Sequence, residues 1–389
     1  MYNTKIKMSL IPSIIGQEIV AQSRGVVKTV PIIAGKPGIG KSEMMKNIGN
    51  QLNMNVFIRS LGALPYEWFS GLPEFQDYKV NEDWHEYGVQ SSKATSWTIS
   101  DLIKSINEYT EISLSQGKKG LLVLLDDFHL VDGITQKYLF ELLQNKTLQN
   151  FKLHKKAYLV GAMNDSELDG MQDLYRAVLD RIAVYSMDFE LDYWYSKVGY
   201  MLHPIVASFV KNEANIKYLT GEDVMNKVTP SPRSWTEFSQ ILTSSEQFMK
   251  SSDYESYLKA FAISRLGEDA TLALLDHFKI FMKYDFESIA SGKISVDISN
   301  DVIDQIIYSM VVRAIIDEKT ARVVVDIINK NKEKKIFYNN AINELIELNK
   351  QKSNFQEAKM NGISYAYNQL LFDEENLDDV LESLLDELM

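Results

Sequence analysis

The chain has 389 residues, 45% hydrophobic and 24% charged, enough apolar material for two or three packed domains, which excludes a disordered tail or a staple-dependent mini-protein. It has no cysteine, and His85, His129, His154, His203 and His277 are scattered without ligand spacing, which excludes a cysteine hydrolase and a zinc enzyme. The net charge is −12, but eight carboxylates fall in the last seventeen residues, so the body is only mildly acidic and has no global field to recruit nucleic acid.

The longest aliphatic run, Leu121–Leu125, is far short of the roughly 18 residues that a membrane span needs. Met1–Leu10 lacks an apolar segment followed by a small-residue cleavage site, so the expected location is cytoplasmic. Along the first half, short aliphatic runs alternate with helix-period segments, the pattern of βαβ units around a parallel sheet. The spacing predicts buried strands at Val30–Ala34, Val56–Ser60, Leu121–Leu125, Ala157–Ala162 and Ala183–Asp188. It predicts a helix over Lys41–Leu52, with Met44, Met45, Ile48 and Leu52 on one face. A second helix, Asp101–Ser115, follows a Ser100 cap and aligns Leu102, Ile106 and Tyr109. Between them Gly62–Trp97 holds three of the five tryptophans, too long for a bare loop, and reads as an insertion with its own packing.

From about residue 190 onward strand signals fade and helices are predicted: Pro232–Leu242, then segments near 254–265, 268–283, 301–317, 320–330, 335–350 and 355–371, with stops at Gly267 and Gly292. In the acidic tail 373–389, Leu377, Val380, Leu381, Leu384, Leu385 and Leu388 follow a helical rhythm. That helix either packs on its own domain or docks on a partner.

Two motifs carry chemistry. Gly35-Lys36-Pro37-Gly38-Ile39-Gly40-Lys41-Ser42 fits G-x-x-x-x-G-K-[ST] between a strand and a helix. Its glycines let backbone N–H groups face phosphates, Lys41 reaches the β/γ oxygens, and the Ser42 hydroxyl can coordinate Mg²⁺. Leu122–Asp127 supplies an acidic strand end, where Asp126 would hold the magnesium and Asp127 would polarise the attacking water. Two adjacent acids can equally cap the next helix.

With Val160–Asn164, Ala177–Arg181 and Thr229–Trp235, these segments occur in the order seen in AAA+ ATPases. The chain resembles the MoxR branch most, and Trp68–Pro73 and Leu148–Leu153 look like places where that branch carries insertions. The resemblance covers about residues 16–245. It implies an α/β fold: a P-loop AAA+ parallel-sheet core with helices on both faces at 1–190, carrying the aromatic insertion at 62–97. A helical lid at 191–250, a further helical C-terminal region at 251–372 and the acidic amphipathic tail 373–389 would follow.

The resemblance implies ATP and Mg²⁺ as cofactors, with Gly35, Pro37, Gly38, Ile39, Gly40, Lys41 and Ser42 on the nucleotide and Ser42 and Asp126 on the metal. Asp127 would be the base, Asn164 sensor 1, Arg181 the arginine finger given to a neighbouring subunit, and Arg233 sensor 2, reaching from the lid. Arg176, five residues before Arg181, is the alternative finger. The family usually has Glu where this chain has Asp127, about one methylene shorter, which puts fast hydrolysis in doubt. The implied protein is a hexameric ring hydrolysing ATP to ADP and phosphate in order to remodel or assemble a client protein complex, commonly with a von Willebrand factor A-type partner. Two alternatives stand beside it. One is a DNA-directed motor or clamp-loader-like ATPase, although the best basic cluster, Lys330, Lys332, Lys334 and Lys335, reads as a solvated turn. The other is a nucleotide-gated, hydrolysis-poor assembly scaffold, resting on Asp127 and the acidic tail.

Overall fold

A computed structural model describes residues 5–78, 92–164, 174–221, 228–245, 253–294 and 301–371. Trp84 of the aromatic stretch and the acidic tail 373–389 lie outside the described residues. The chain divides into two compact units, Met1–Glu190 and Leu191–Met389. Among the described residues no helix is long and apolar enough to cross a membrane.

Along the first unit run β1 (Ile6–Lys7), α1 (Ile11–Ser23), β2 (Val30–Ala34), α2 (Lys41–Gln51), β3 (Asn55–Ser60), α3 (Glu67–Ser70), β4 (Pro73–Tyr78) and β5 (Ser92–Trp97). After these come α4 (Asp101–Ser115), β6 (Leu121–Asp126), α5 (Gly133–Asn145), β7 (Thr147–Leu148), β8 (Phe151–Lys152), β9 (Ala157–Met163), α6 (Arg176–Leu179) and β10 (Ile182–Asp188). Six strands form one sheet in the order β1-β10-β2-β9-β6-β3, with every neighbouring pair parallel. Parallel strands require crossovers, and the crossover helices cover the sheet, which is why β2 and β9 are buried at every position. The expected α/β class is the one observed, and all five expected strands are present with ends shifted by a residue or so.

The helices form where apolar spacing and caps agree. In α4 the Ser100 hydroxyl accepts the Ile103 N–H, and Leu102, Ile103 and Ile106 are buried. Tyr109 departs from the expected buried face: it is 49% exposed, with its ring 5.0 Å from that of Phe57. The aromatic stretch does form an element of its own, an antiparallel ribbon in which Pro73 of β4 pairs with Trp97 of β5. Phe69 of α3 is buried in the main core beneath it, whereas Phe75 on the ribbon is 75% exposed.

The second unit is helical throughout its described residues: α7 (Leu191–Val198), α8 (Pro204–Val210), α9 (Ile216–Thr220), α10 (Pro232–Ser244), α11 (Tyr254–Phe281), α12 (Phe286–Ala290), α13 (Asp301–Arg313), α14 (Glu318–Lys330), α15 (Lys335–Lys350) and α16 (Glu357–Leu371). Trp235 anchors one part of the core, stacking on Phe209 at 5.0 Å and donating its indole N–H to the Tyr218 carbonyl. A buried ionic cluster holds another. Arg313 meets Glu344 at 2.5 Å and donates to the Tyr195 hydroxyl at 2.8 Å, and Lys211 lies 3.5 Å from the same carboxylate.

Candidate functional site

The site grows from the sheet order. In an open parallel sheet, ligands bind beyond the carboxyl ends of the strands. Here β2, β9, β6 and β3 lie side by side and end at Ala34, Met163, Asp126 and Ser60. Residues far apart in sequence therefore meet along one edge, with Gly35 N–H bonded to the Met163 carbonyl and Ser60 in register with Asp126.

The loop after β2 turns on Gly40, whose φ of 99° is left-handed and leads directly into the first turn of α2. A Cβ at Gly40 would meet nothing within 4 Å, so it is the left-handed backbone rather than crowding that calls for glycine there. Ile39 is buried and pins the loop from below, its Cδ1 lying 2.7 Å from where a Gly35 Cβ would be, while Pro37 is exposed at the tip. Gly38 also takes a positive φ, 75°.

Lys41 begins α2 and is only 8% exposed. Its ammonium donates to the Gly35 carbonyl at 2.7 Å, the Lys36 carbonyl at 3.0 Å and Asn164 Oδ1 at 2.9 Å. Ser42 Oγ donates to Asp126 Oδ2 at 2.7 Å. Lys41, Ser42, Asp126 and Asn164 are thus brought together by direct hydrogen bonds. Asp127 adjoins them in left-handed backbone, with its N–H bonded to Asp126 Oδ1 and its Oδ2 accepting from Ser60 Oγ at 2.5 Å. It occupies the N-cap position of a short 3-10 turn, Phe128–Leu130, but its side chain makes no cap bond there, and α5 further on is capped by Asp132, which accepts the Thr135 N–H.

Three supporting residues escaped sequence reasoning. Ser60 fixes Asp127, and only the pairing of β3 with β6 could have revealed that. His129, buried beside Asn164, receives the Asn164 backbone N–H at Nδ1 and has its Nε2 3.4 Å from the Asn164 amide nitrogen. Its position three residues after Asp126 was the available signal. Gln144 of α5 is the third, accepting from Arg181 Nε and Nη2 at 3.1 and 2.9 Å.

Arg181 is therefore held within its own chain. It also donates to the Ala177 carbonyl and lies 4.2 Å over the Phe140 ring. Arg176, at the start of α6, is exposed and makes no side-chain hydrogen bond or ion pair among the described residues. Arg233 belongs to the second unit, exposed in the first turn of α10, behind a capping box between Ser231 and Ser234.

The donor set suits magnesium with a nucleotide. One carboxylate and one hydroxyl leave coordination positions to phosphate and water, the usual habit of Mg²⁺. Among the described residues no group of three or more His, Asp or Glu forms an all-protein metal cage.

Neither a protein-family model nor a curated protein matches the chain. Among solved structures it is similar to RuvB of Thermotoga maritima, described as a Holliday junction branch migration motor, at 14% identity over 77% of this chain and 85% of that one, with a TM-score of 0.35. It is similar also to PCH-2 of C. elegans, at 15% identity over 70% and 69%, with a TM-score of 0.32. Likenesses this distant say nothing of function, which has to be read from the site's own residues.

Proposed function

We propose that the chain is an AAA+ ATPase of the MoxR-like type, hydrolysing ATP to ADP and phosphate with magnesium in order to remodel or assemble a client protein complex. The observation that carries this reading is the hydrogen-bonded convergence of Lys41, Ser42, Asp126 and Asn164 at the carboxyl ends of neighbouring strands. Gly35 to Ser42 would hold the phosphates, and Ser42 with Asp126 the magnesium, whose charge neutralises the β- and γ-oxygens when it is bound. Lys41 exchanges neutral carbonyl acceptors for anionic phosphate oxygens, a stronger charge-assisted bond. Asn164 orients the attacking water with its amide, and the Asp127 carboxylate takes up the water's proton.

The remaining parts are supplied by other segments. Arg181 serves as the finger for a neighbouring copy in a ring, expected to be hexameric, with Arg176 as its alternate. Arg233 reads the γ-phosphate from a helical lid at 191–250. A client or adaptor with a von Willebrand factor A-type domain is the expected partner.

The test is the ATP hydrolysis rate per subunit over a wide range of protein concentration, with Arg181→Ala and Arg176→Ala alongside. The rate should climb with concentration and collapse for one of the two variants. A concentration-independent rate, with both variants active, would remove the ring. The clamp of Ser60 on Asp127 favours a second reading, a nucleotide-gated assembly scaffold that turns over poorly. Tight ATP binding with no phosphate release at any concentration would select it.

A further inference from the structure

The last three described helices of the second unit run up, down and up. A short turn, 331–334, joins α14 to α15, and a 3-10 turn, Lys352–Asn354, lies between α15 and α16. Short links make neighbouring helices antiparallel, so α16 runs in the same direction as α14. A Cβ on Gly362 would lie 2.5 Å from the Asp317 carbonyl oxygen, just before α14, and further along the Arg322 guanidinium sits 4.5 Å over the Tyr365 ring. Continuing from that pair sets Leu371, the end of α16, level with Ile328, close to Lys330. The chain after α16 therefore departs at the same end of these helices as the turn between α14 and α15.

That end is basic. Lys330, Lys332, Lys334 and Lys335 cluster there around Glu333, in a chain whose net charge is −12. Lys330 and Lys335 are exposed and make no side-chain hydrogen bond or ion pair among the described residues. Lysine suits the end of α14, where the helix dipole is negative, but Lys334 and Lys335 stand at the positive start of α15. Helix α15 has no acidic residue in its first turn, and Lys334 at its N-cap makes no side-chain cap bond. Ile336, in that first turn, is 59% exposed. Unbalanced positive charge, an uncapped helix start and an uncovered apolar side chain thus share one small surface, and an acidic amphipathic segment answers all three.

We infer that the acidic segment 373–389 docks on this end of its own second unit. Its eight carboxylates, with no Lys or Arg among them, complement the lysines, and the stripe of Leu377, Leu381, Leu384 and Leu388 covers Ile336. The residues from Phe372 to Leu377 reach up to about 20 Å when extended, against the roughly 8–10 Å that separates packed helices, so the tether is long enough. It also keeps the segment at high effective concentration beside the turn, which favours its own chain over a second copy. The inference does not depend on the ATPase reading.

Hydrogen exchange of the full chain, read by mass spectrometry on peptides from 373–389, tests it. A helix this short is marginal by itself, so amide protection there requires docking. Wild type should exchange at least about tenfold more slowly in these peptides than an unfolded chain does. Lys330→Glu/Lys335→Glu alters only exposed side chains and should remove that protection while peptides from α16 stay as slow as in wild type. Should the variant fail to fold, wild type in about 1 M salt, where charges are screened within about 3 Å, should show a several-fold loss instead, and unchanged protection there overturns the inference. So does a segment that exchanges as an unfolded chain in wild type, or one whose protection survives the charge reversal in a folded variant. Protection that falls as the protein is diluted assigns the segment to a second copy and overturns docking on its own chain.

Discussion

Asp127 has its φ at 54° and its carboxylate bonded to Ser60, so it is oriented before any ligand arrives. Left-handed backbone suits aspartate and asparagine better than longer acids, which gives a physical reason for Asp at a place where the resembled family has Glu. Asp127→Asn keeps both the backbone conformation and an acceptor for Ser60 while removing the proposed base. Binding of a fluorescent ATP analogue should stay within about threefold, and steady-state phosphate release should fall about a hundredfold or more. Phosphate release at the wild-type rate would mean that another group takes the proton. Lys41, Ser42 and Asp126 announce themselves through local spacing or an apolar strand ending in an acidic tip, whereas Asn164 was marked only by the resemblance. Ser60, His129 and Gln144 carry no such mark, because strand register and helix packing bring them to their partners.

The same contrast governs the segments. Helix α4 was readable because the Ser100 cap and the apolar rhythm agree, whereas α1 lacks a side-chain cap and carries Gly16 at its middle. The stop expected at Gly267 is real, but it joins two helices rather than opening a loop: one residue at φ 77°, ψ 177° interrupts α11. A Cβ there would lie 2.5 Å from the Val228 carbonyl oxygen, in a conformation side chains rarely adopt. Gly267→Ala should therefore destabilise the second unit by about 1–3 kcal/mol, read as a lower denaturant midpoint with little change in slope. An unchanged midpoint would mean that the kink relaxes at no cost. The exposed aromatic ribbon was legible by composition alone, and its strand pairing was not.

Stability against acid follows from groups that no sequence pattern displayed. Burial holds His277 down to about 4, and burial with the Arg313 charge does the same for His203. Their ordinary value is 6.5, so between about pH 6.5 and 4 the unfolded chain binds more protons than the folded one, and stability rises with pH in that window. The melting temperature should be full above about pH 6.5 and drop as the pH falls towards 4, and His277→Gln should flatten part of that drop. A melting temperature indifferent to pH in this interval would show that neither ring stays neutral. Burial alone would raise the Glu344 carboxyl, but Arg313 and Lys211 hold it below the ordinary value.

The strand order also has a consequence for synthesis. β2 leads into the phosphate loop, yet its neighbours in the sheet are β9 and β10, the last strands of the unit to leave the ribosome. A nascent chain therefore displays Lys41 and Ser42 long before Asn164 and Asp126 exist to receive them. Truncations ending short of Asp188 carry the motif without the complete sheet, and on the proposed reading nucleotide capture would mark the moment at which this unit has finished folding.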